Sequence, residues 1–546
     1  MIDLRKIGFS KLEFPVRYTT FFLALGGMCF TLLVVIASGQ GVLWLLLFVL
    51  LSALGVHDLL QTHHAILRNY PILGHMRFML EFIRPEIRQY FIESEGEAAP
   101  FSRAQRSLVY ARAKNQSDKR PFGTQLDVDQ NGYEWLTHSM APTQIKSHDF
   151  RVKVGTTACT QPYDISVFNV SAMSFGALSA NAIMALNQGA QMGGFAHDTG
   201  EGSISRYHRI HGGDLIWEIG SGYFGCRDDQ GLFSPSKFVE NARDPQVKMI
   251  EIKLSQGAKP GHGGVLPAAK VTAEIAEARG VPLGADCVSP AAHSSFSNPL
   301  ELLEFLQILR ELSQFKPVGI KLCIGHPWEW FGIVKAMHAT QILPDFIVVD
   351  GAEGGTGAAP LEFTDHIGMP LKEGLRLVHN SLVGMGLRDH IRIGASGKII
   401  SSFDMARALA MGADWCNSAR GFMFALGCVQ AQACHTGHCP TGVTTQDPQR
   451  QLALVVPSKA ERVKNFHENT LKSLHELLQA AGLLSPDQLH LGHFLRRVNG
   501  NETQSLAELY PALSQGALLK EPLGKVPEPF KTYWANASAE RFSLSG

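Results

Sequence analysis

"ISVFNVSAMSFGALSANAIMALNQGAQM", residues 165–192, begins as an apolar, β-branched run and breaks at Ser174, Phe175 and Gly176. It then continues with apolar residues at helical spacing. A strand that turns into a helix through a small-residue break is one β-α unit. The pattern recurs down the chain. "VKMIEIKLS", "VPLGADCVS", "VGIKLCIG", "FIVVDGA", "IRIGASG" and "ADWCNSA" read as strands with Gly, Ser or Asp gathered at their ends. "NPLELLEFLQILRELSQF", "EWFGIVKAMHA", "LKEGLRLVHNSLV" and "SFDMARALAMG" read as the helices that follow several of them. Seven or eight such units between about 160 and 445 predict an α/β fold, a (β/α)8 TIM-type barrel with its site at the C-terminal ends of the strands. An open doubly wound sheet is the alternative. No G-x-G-x-x-G follows an early strand, so a nicotinamide-binding Rossmann domain is not supported.

Outside the barrel the composition changes. From Tyr18 to Val56 no residue is charged, and two apolar runs flank "SGQG". Each has about the ~17–20 residues that a membrane helix needs. Arg5, Lys6, Lys11 and Arg17 precede the pair, and Arg68 and Arg77 follow it. Basic residues on both flanks predict a hairpin whose two ends are cytoplasmic. A signal peptide ending near Ala37 is the rival reading, and the second apolar run counts against it. The expected organisation is a transmembrane hairpin over 1–60, a helical connector over 61–150, the barrel over 151–450 and a helical C-terminal segment with its tail over 451–546. Within the connector, "ESEGEAAPFSRAQRS" (93–107) reads as a loop. Lys+Arg and Asp+Glu both number 49 among 546 residues. That balance argues against a nucleic-acid partner. Six of the nine cysteines are scattered singly, which suits a reducing compartment better than a disulfide framework.

The residues that carry chemistry cluster at predicted strand ends. "SAMSFGALS" (171–179) contains Ser174, "EIKLSQGAKPGHGG" (251–264) contains Lys253, Gln256 and Lys259, and "VDGAEGGTGAAP" follows at 349–360. "GASGK" (394–398) and "SARGF" (418–422) add glycine-rich turns before helices, and Lys321 in "GIKLC" points to the same mouth. Backbone N–H groups at such turns suit phosphate, and buried lysines suit an anionic cofactor. "GCVQAQACHTGHCPTG" (427–442) places Cys428, Cys434 and Cys439 within a dozen positions. Thiolates hold either zinc or iron–sulfur clusters. Zinc would require His435 or His438 as a fourth ligand, and a spacing of five fits the usual zinc knuckle poorly. Three thiols suit a cluster lacking one iron. Cys416 is the other candidate ligand, although its place in a predicted strand reads as core.

Taken in order, "SAMSFGALS", "DTGEG", "IKLSQGAKPGHGG", "DGAEGGTGAAP", "GLRD" and the C-x5-C-x4-C run resemble the FMN-binding synthase domain of the glutamate synthase family, over roughly 150–450. The resemblance implies a barrel that carries FMN and a 3Fe-4S cluster ligated by Cys428, Cys434 and Cys439. It implies that Ser174, Lys253, Lys321, Gly397 and Gly421 lie around FMN. Glu201, Gln256 and Lys259 would lie at the flavin face where 2-oxoglutarate and its imine are reduced. It further implies a glutamate-forming oxidoreductase of the class acting on CH-NH2 donors, with a different 2-oxo acid or amine, or a non-catalytic electron carrier, as alternatives. His262 stands where an acidic residue is common in the large enzymes. Those enzymes begin with a glutaminase domain carrying an amino-terminal cysteine, and this sequence begins "MIDLRK" and enters the apolar hairpin. The expected partners are therefore 2-oxoglutarate, free ammonia, an external electron donor such as ferredoxin or a flavoprotein, membrane lipid and a homo-oligomeric copy. The expected place is the inner (cytoplasmic) membrane, with the catalytic domain in the cytoplasm.

Overall fold

Eight short parallel strands close into a barrel, ordered β5-β6-β7-β8-β1-β2-β3-β4. They are β1 (Phe168–Val170), β2 (His197–Asp198), β3 (Leu215–Ile219), β4 (Val247–Lys253), β5 (Val318–Leu322), β6 (Phe346–Asp350), β7 (Arg392–Ser396) and β8 (Trp415–Ser418). The computed structural model describes residues 16–96, 99–155, 158–266, 268–520 and 526–544. It divides into two units, Met1–Ser94 and Glu95–Gly546. The barrel lies wholly in the second, and the TIM-type expectation holds.

The strands are nearly all buried because each has helices on one face and the barrel interior on the other. Phe346 and Val348 on β6 point inward beside Met249 on β4, Ile216 on β3 and Trp415 on β8, forming the floor of the interior. The alternate residues Ile347 and Val349 belong to the larger core between strands and helices. An antiparallel hairpin of Arg151–Val154 and Tyr163–Ser166 precedes β1, and its Val154 and Ile165 join the floor cluster. This hairpin plugs the N-terminal end of the barrel. Glycines on neighbouring strands make room for the two largest floor side chains. A Cβ at Gly319 would meet the Phe346 ring at 2.5 Å, and one at Gly394 would meet Trp415 Cε2 at 2.7 Å.

The helices start where their caps place them. Ser179 Oγ accepts from Ala182 N ahead of Ala180–Gly193, Asn298 caps Pro299–Leu312 with proline at the first turn, and Ser401 forms a capping box with Asp404 ahead of Ser402–Ala410. The long helix Val456–Ala480 packs on Ala180–Gly193 at Gly189, where a Cβ would stand 2.5 Å from Val463 Cγ1.

Three expectations are corrected. "VPLGADCVS" supplies no barrel strand; only Cys287 and Val288 pair, antiparallel, with Val265 and Leu266 in the long excursion after β4. The other six segments supply six strands, and "LIWEI" (β3) and the two-residue β2, which the periodicity passes over, complete the eight. The loop read over 93–107 ends early, because Ser102 and Gln105 form a capping box that starts the helix Arg103–Ala113.

In the amino-terminal unit, helices Thr19–Ser38 and Val42–Leu60 are joined through Gly39 (φ 67°) and Gly41 (φ 89°), left-handed positions that suit glycine. Both are long and apolar enough to cross a membrane, with mean hydropathy 2.3 and 2.2. At the end of the second, the buried Asp58 carboxylate accepts from Ile72 N at 2.9 Å and from His75 Nε2 at 2.9 Å, which fixes the turn into helix Leu73–Ile87. Arg5, Lys6 and Lys11 lie outside the described residues.

The tight floor predicts that Gly394→Ala keeps the fold while losing about 1–3 kcal/mol, the usual cost of overpacking. A lowered denaturant midpoint with an unchanged slope is the expected reading in chemical unfolding of the detergent-solubilised chain.

Candidate active site and cysteine loop

Above the apolar floor the inward side chains become polar. Glu218 on β3, Glu251 on β4 and Lys321 on β5 follow the floor residues at the next inward positions, and Asp198 joins them from β2. Lys321 Nζ stands 2.5 Å from Glu218 Oε2 and 3.8 Å from Glu251 Oε1, with all three side chains at most 4 % exposed. Burial alone would push the lysine pKa down, yet the carboxylates of Glu218, Glu251 and Asp198 outweigh it and hold the ammonium form.

One step nearer the mouth, Lys253 is the strand partner of Lys321. Its Nζ lies 3.0 Å from Glu201 Oε2 and donates to Gln256 Oε1 at 2.7 Å. Glu201, Lys253, Gln256 and Lys259 all line one cavity of about 360 Å³, together with His262, Gly263 and Gly264. Burial pushes the Glu201 carboxyl up, but Lys253, Arg279 and Lys259 overcome it and keep the pKa low. Lys259 is buried beside this cluster, and burial together with Lys253 lowers its pKa against the pull of Glu201. The loop backbone comes in close here: a Cβ at Gly264 would stand 2.5 Å from Glu201 Oε1, and one at Gly257 would overlap the Gly351 carbonyl.

The remaining predicted residues lie around the same mouth. Ser174 follows β1 and is pressed against Gly200 and Gly202, whose Cβ atoms would stand 2.7 Å from Ser174 N and Ser174 Cβ. Gly397 ends β7 at φ 152°, with Leu371 and Glu353 within 3.5 Å of where its Cβ would be. Gly421, in helix Arg420–Leu426, faces Ser418 Oγ, Ile400 and Phe466, so the room it leaves serves packing against helix Val456–Ala480.

Sequence reading missed the groups that steady these side chains. His293 Nε2 donates to the Lys253 carbonyl at 2.8 Å, and its Nδ1 accepts from Tyr223 Oη at 3.2 Å. Burial drives His293 down to about 4, so the ring is neutral and this donor–acceptor assignment is fixed. Asp350 Oδ2 accepts from Gly257 N at 2.8 Å and ties the end of β6 to the loop after β4. Only long-range contacts identify these partners; "EIKLSQGAK" contains no hint of His293.

After β8 the chain passes through Arg420–Leu426 into the cysteine loop. Cys428, Cys434 and Cys439 line one open pocket, with Thr441 and Thr444 in its wall. Burial pushes the Cys428 thiol up to about 12, whereas hydrogen bonds from Thr441 and Thr444 outweigh burial at Cys439 and bring it down to about 7. Gln430 N donates to Cys428 Sγ at 3.4 Å, Tyr110 Oη donates to the Cys428 carbonyl at 2.6 Å, and Lys270 Nζ to the Cys434 carbonyl at 3.3 Å. Among the described residues, the three thiols do not converge within 4.8 Å as ligands of a single ion would. His435 and His438 are exposed and do not line the cavity. A ring of thiols around a space, with N–H and O–H donors aimed at sulfur, fits a polynuclear cluster better than one zinc ion. Cys416 is buried in β8 away from the loop cavity, as a core residue.

The mouth likewise fits a flavin phosphate cofactor. Lys253 and Lys259 line it with Lys321 in the layer below, and the peptides after β7 and β8 stand where barrels hold phosphate.

Comparisons with known proteins show the family. The conserved region in glutamate synthase matches residues 113–484. The glutamate synthase large subunit-like protein YerD of Bacillus subtilis is 39% identical over 490 residues, covering 82% of this chain and 93% of that protein. An archaeal glutamate synthase [NADPH] of Methanocaldococcus jannaschii is 36% identical over 358 residues, covering 65% of this chain and 66% of that protein. Among solved structures, the flavin-binding domain of baker's yeast flavocytochrome b2 aligns with a TM-score of 0.39 at 12% identity, over 76% of this chain and 85% of that one, a likeness too slight to carry an argument. With the family region spanning the whole barrel and the cysteine loop, this chain belongs to the glutamate synthase family, as an oxidoreductase of that type.

Proposed function

We propose that the chain is an FMN- and 3Fe-4S-dependent oxidoreductase that aminates 2-oxoglutarate reductively to glutamate. It would use free ammonia and electrons from an external donor, ferredoxin or a flavoprotein. The observation that carries the reading is the convergence of Glu201, Lys253, Gln256 and Lys259 on one cavity, with Lys321 beneath Lys253 on the adjoining strand. FMN, when bound, supplies the hydride. The protein's own part is charge and position. Lys259 and Lys253 offer cationic partners to a dicarboxylate at the barrel mouth, where partial burial makes such interactions stronger than in bulk water. Gln256 is held by Lys253 Nζ, which leaves its amide N–H2 available to the substrate. The ionised Glu201 carboxylate favours ammonium and iminium over their neutral forms. Lys259, its pKa lowered by burial, is the group placed to hold or release a proton at Nζ. Cys428, Cys434 and Cys439 would hold the cluster that receives electrons from the donor. Among the described residues that line this cavity none is a cysteine; Glu201, Ser221 and Ser255 supply its carboxylate and hydroxyl oxygens.

The test is an assay with chemically reduced donor and 2-oxoglutarate, comparing ammonium with glutamine at equal concentration, alongside measured FMN, iron and acid-labile sulfide. Ammonium should support glutamate formation, and Lys259→Ala should lower the rate by about 10²–10⁴-fold, the range of a positioned proton-transfer group. A flavin-free protein containing only zinc, or turnover with glutamine alone, would overturn the reading.

The apolar hairpin supports attachment to the inner membrane with the barrel in the cytoplasm. Replacing Leu50, near the middle of helix Val42–Leu60, by arginine should cost about 2.5–3.5 kcal/mol of insertion. Sodium-carbonate extraction would then release the variant while the parent stays with the membranes; equal release of both refutes the anchor.

A further inference from the structure

The polar layer inside the barrel holds more negative charge than its lysine can answer. Asp198, Glu218 and Glu251 present carboxylate oxygens that lie within 4.8 Å of one another, all from buried side chains. They come from three successive strands, and apolar Ile216 and Met249 lie below them. Lys321 is committed to Glu218 at 2.5 Å and reaches Glu251 only at 3.8 Å. Lys253 approaches Glu218 at 3.8 Å but is paired to Glu201 at 3.0 Å. Asp350, the acid at the end of β6, adds a further negative charge and accepts from the Gly257 amide. On Asp198, Oδ1 accepts from Gly200 N at 2.9 Å. On Glu251, Oε1 is buried with no hydrogen-bond partner. Three ionised carboxylates so close in a dry interior repel one another strongly, and an acceptor oxygen without a donor adds its desolvation cost. A proton removes both difficulties, because one carboxyl then donates to the other.

We infer that Asp198 and Glu251 share one proton in the folded protein at neutral pH, forming a neutralised acid pair beneath the Lys321–Glu218 ion pair. Counted over Asp198, Glu218, Glu251 and Lys321, the layer then carries one negative charge in excess instead of two. In that arrangement Asp198 and Glu251 are positioning residues: they keep Lys321 turned toward Glu218. The direction of titration agrees. Burial, then Glu218, raises Asp198 from the usual carboxylate range to about 7, and burial with Asp198 raises Glu251. The acid pair stands on the barrel interior alone. Its consequence for the mouth, a proton held one layer below a bound flavin, rests on the reading in the preceding section.

The sign of the linkage follows from these shifts. A carboxyl whose pKa is higher folded than unfolded costs no stability in acid. The cost appears as pH rises above the unfolded carboxyl range, about 4, and grows until the pH at which the folded pair gives up its proton. Infrared spectra of the full-length protein in detergent at pH 7 should show a protonated-carboxyl C=O band that shifts in D2O and bleaches only as the pH is raised above neutrality. Asp198→Asn and Glu251→Gln, which keep the size of each group, should each remove the band and flatten the loss of thermal stability between pH 4 and 7. Neither reading requires substrate or turnover, so both survive if the proposed reaction is wrong. A parent spectrum without the band, or a band unchanged in both variants, overturns the shared proton. So does one equivalent of a non-iron divalent cation that chelation removes together with stability, because a cation would then balance the charge. Should either variant fail to fold, the pH titration of the parent band decides alone.

Discussion

The ion pair between Lys321 and Glu218 bridges two strands with β4 between them, inside a closed sheet and away from bulk water. Neither partner is tolerable there without the other, since removal of one leaves a bare charge in the interior. That requirement fixes the relation of β3, β4 and β5. It sets the height at which the barrel changes from apolar floor to polar mouth, and it places Lys253, one inward position higher, level with the loops. Gln256 and Lys259 then collect around Lys253 because they follow it in the loop after β4, and Glu201 reaches it from the loop after β2. The cavity is thus assembled outward from the pair.

How much of this was legible depended on the length of each signal. β4, β5, β6 and β7 are long apolar runs ending in glycine or polar residues, and the helices after them show clear periodicity, so barrel closure could be anticipated. β2 has two residues and "LIWEI" five, too short for a window of apolar character to reveal them. "VPLGADCVS" has strand composition but lies in the excursion after β4, where local propensity does not decide pairing. At Ser102 the capping signal was present in the sequence but masked by the Gly and Pro residues just before it.

For the site, residues adjacent in sequence were easier to recover than residues adjacent only in space. "KLSQGAK" contains Lys253, Gln256 and Lys259 because one loop after one strand supplies them. The thiol spacing likewise pointed to Cys428, Cys434 and Cys439. The supports of both sets come from distant segments: His293 and Tyr223 for Lys253, Tyr110 and Lys270 for the cysteine loop. The three buried acids also went unremarked. A lone Glu in an apolar run reads as a strand residue, and only barrel closure shows that Asp198, Glu218 and Glu251 meet.

The hairpin of Arg151–Ser166 gives the molecule a directionality. With Val154 and Ile165 packed against the floor, the described residues close the N-terminal end of the barrel and leave the C-terminal mouth as its open rim. Whatever enters to react departs over that rim, so arrival and departure must alternate. Any proton reaching the acids at the bottom travels down the same shaft as the traffic above it, and an occupied rim isolates them from the solvent.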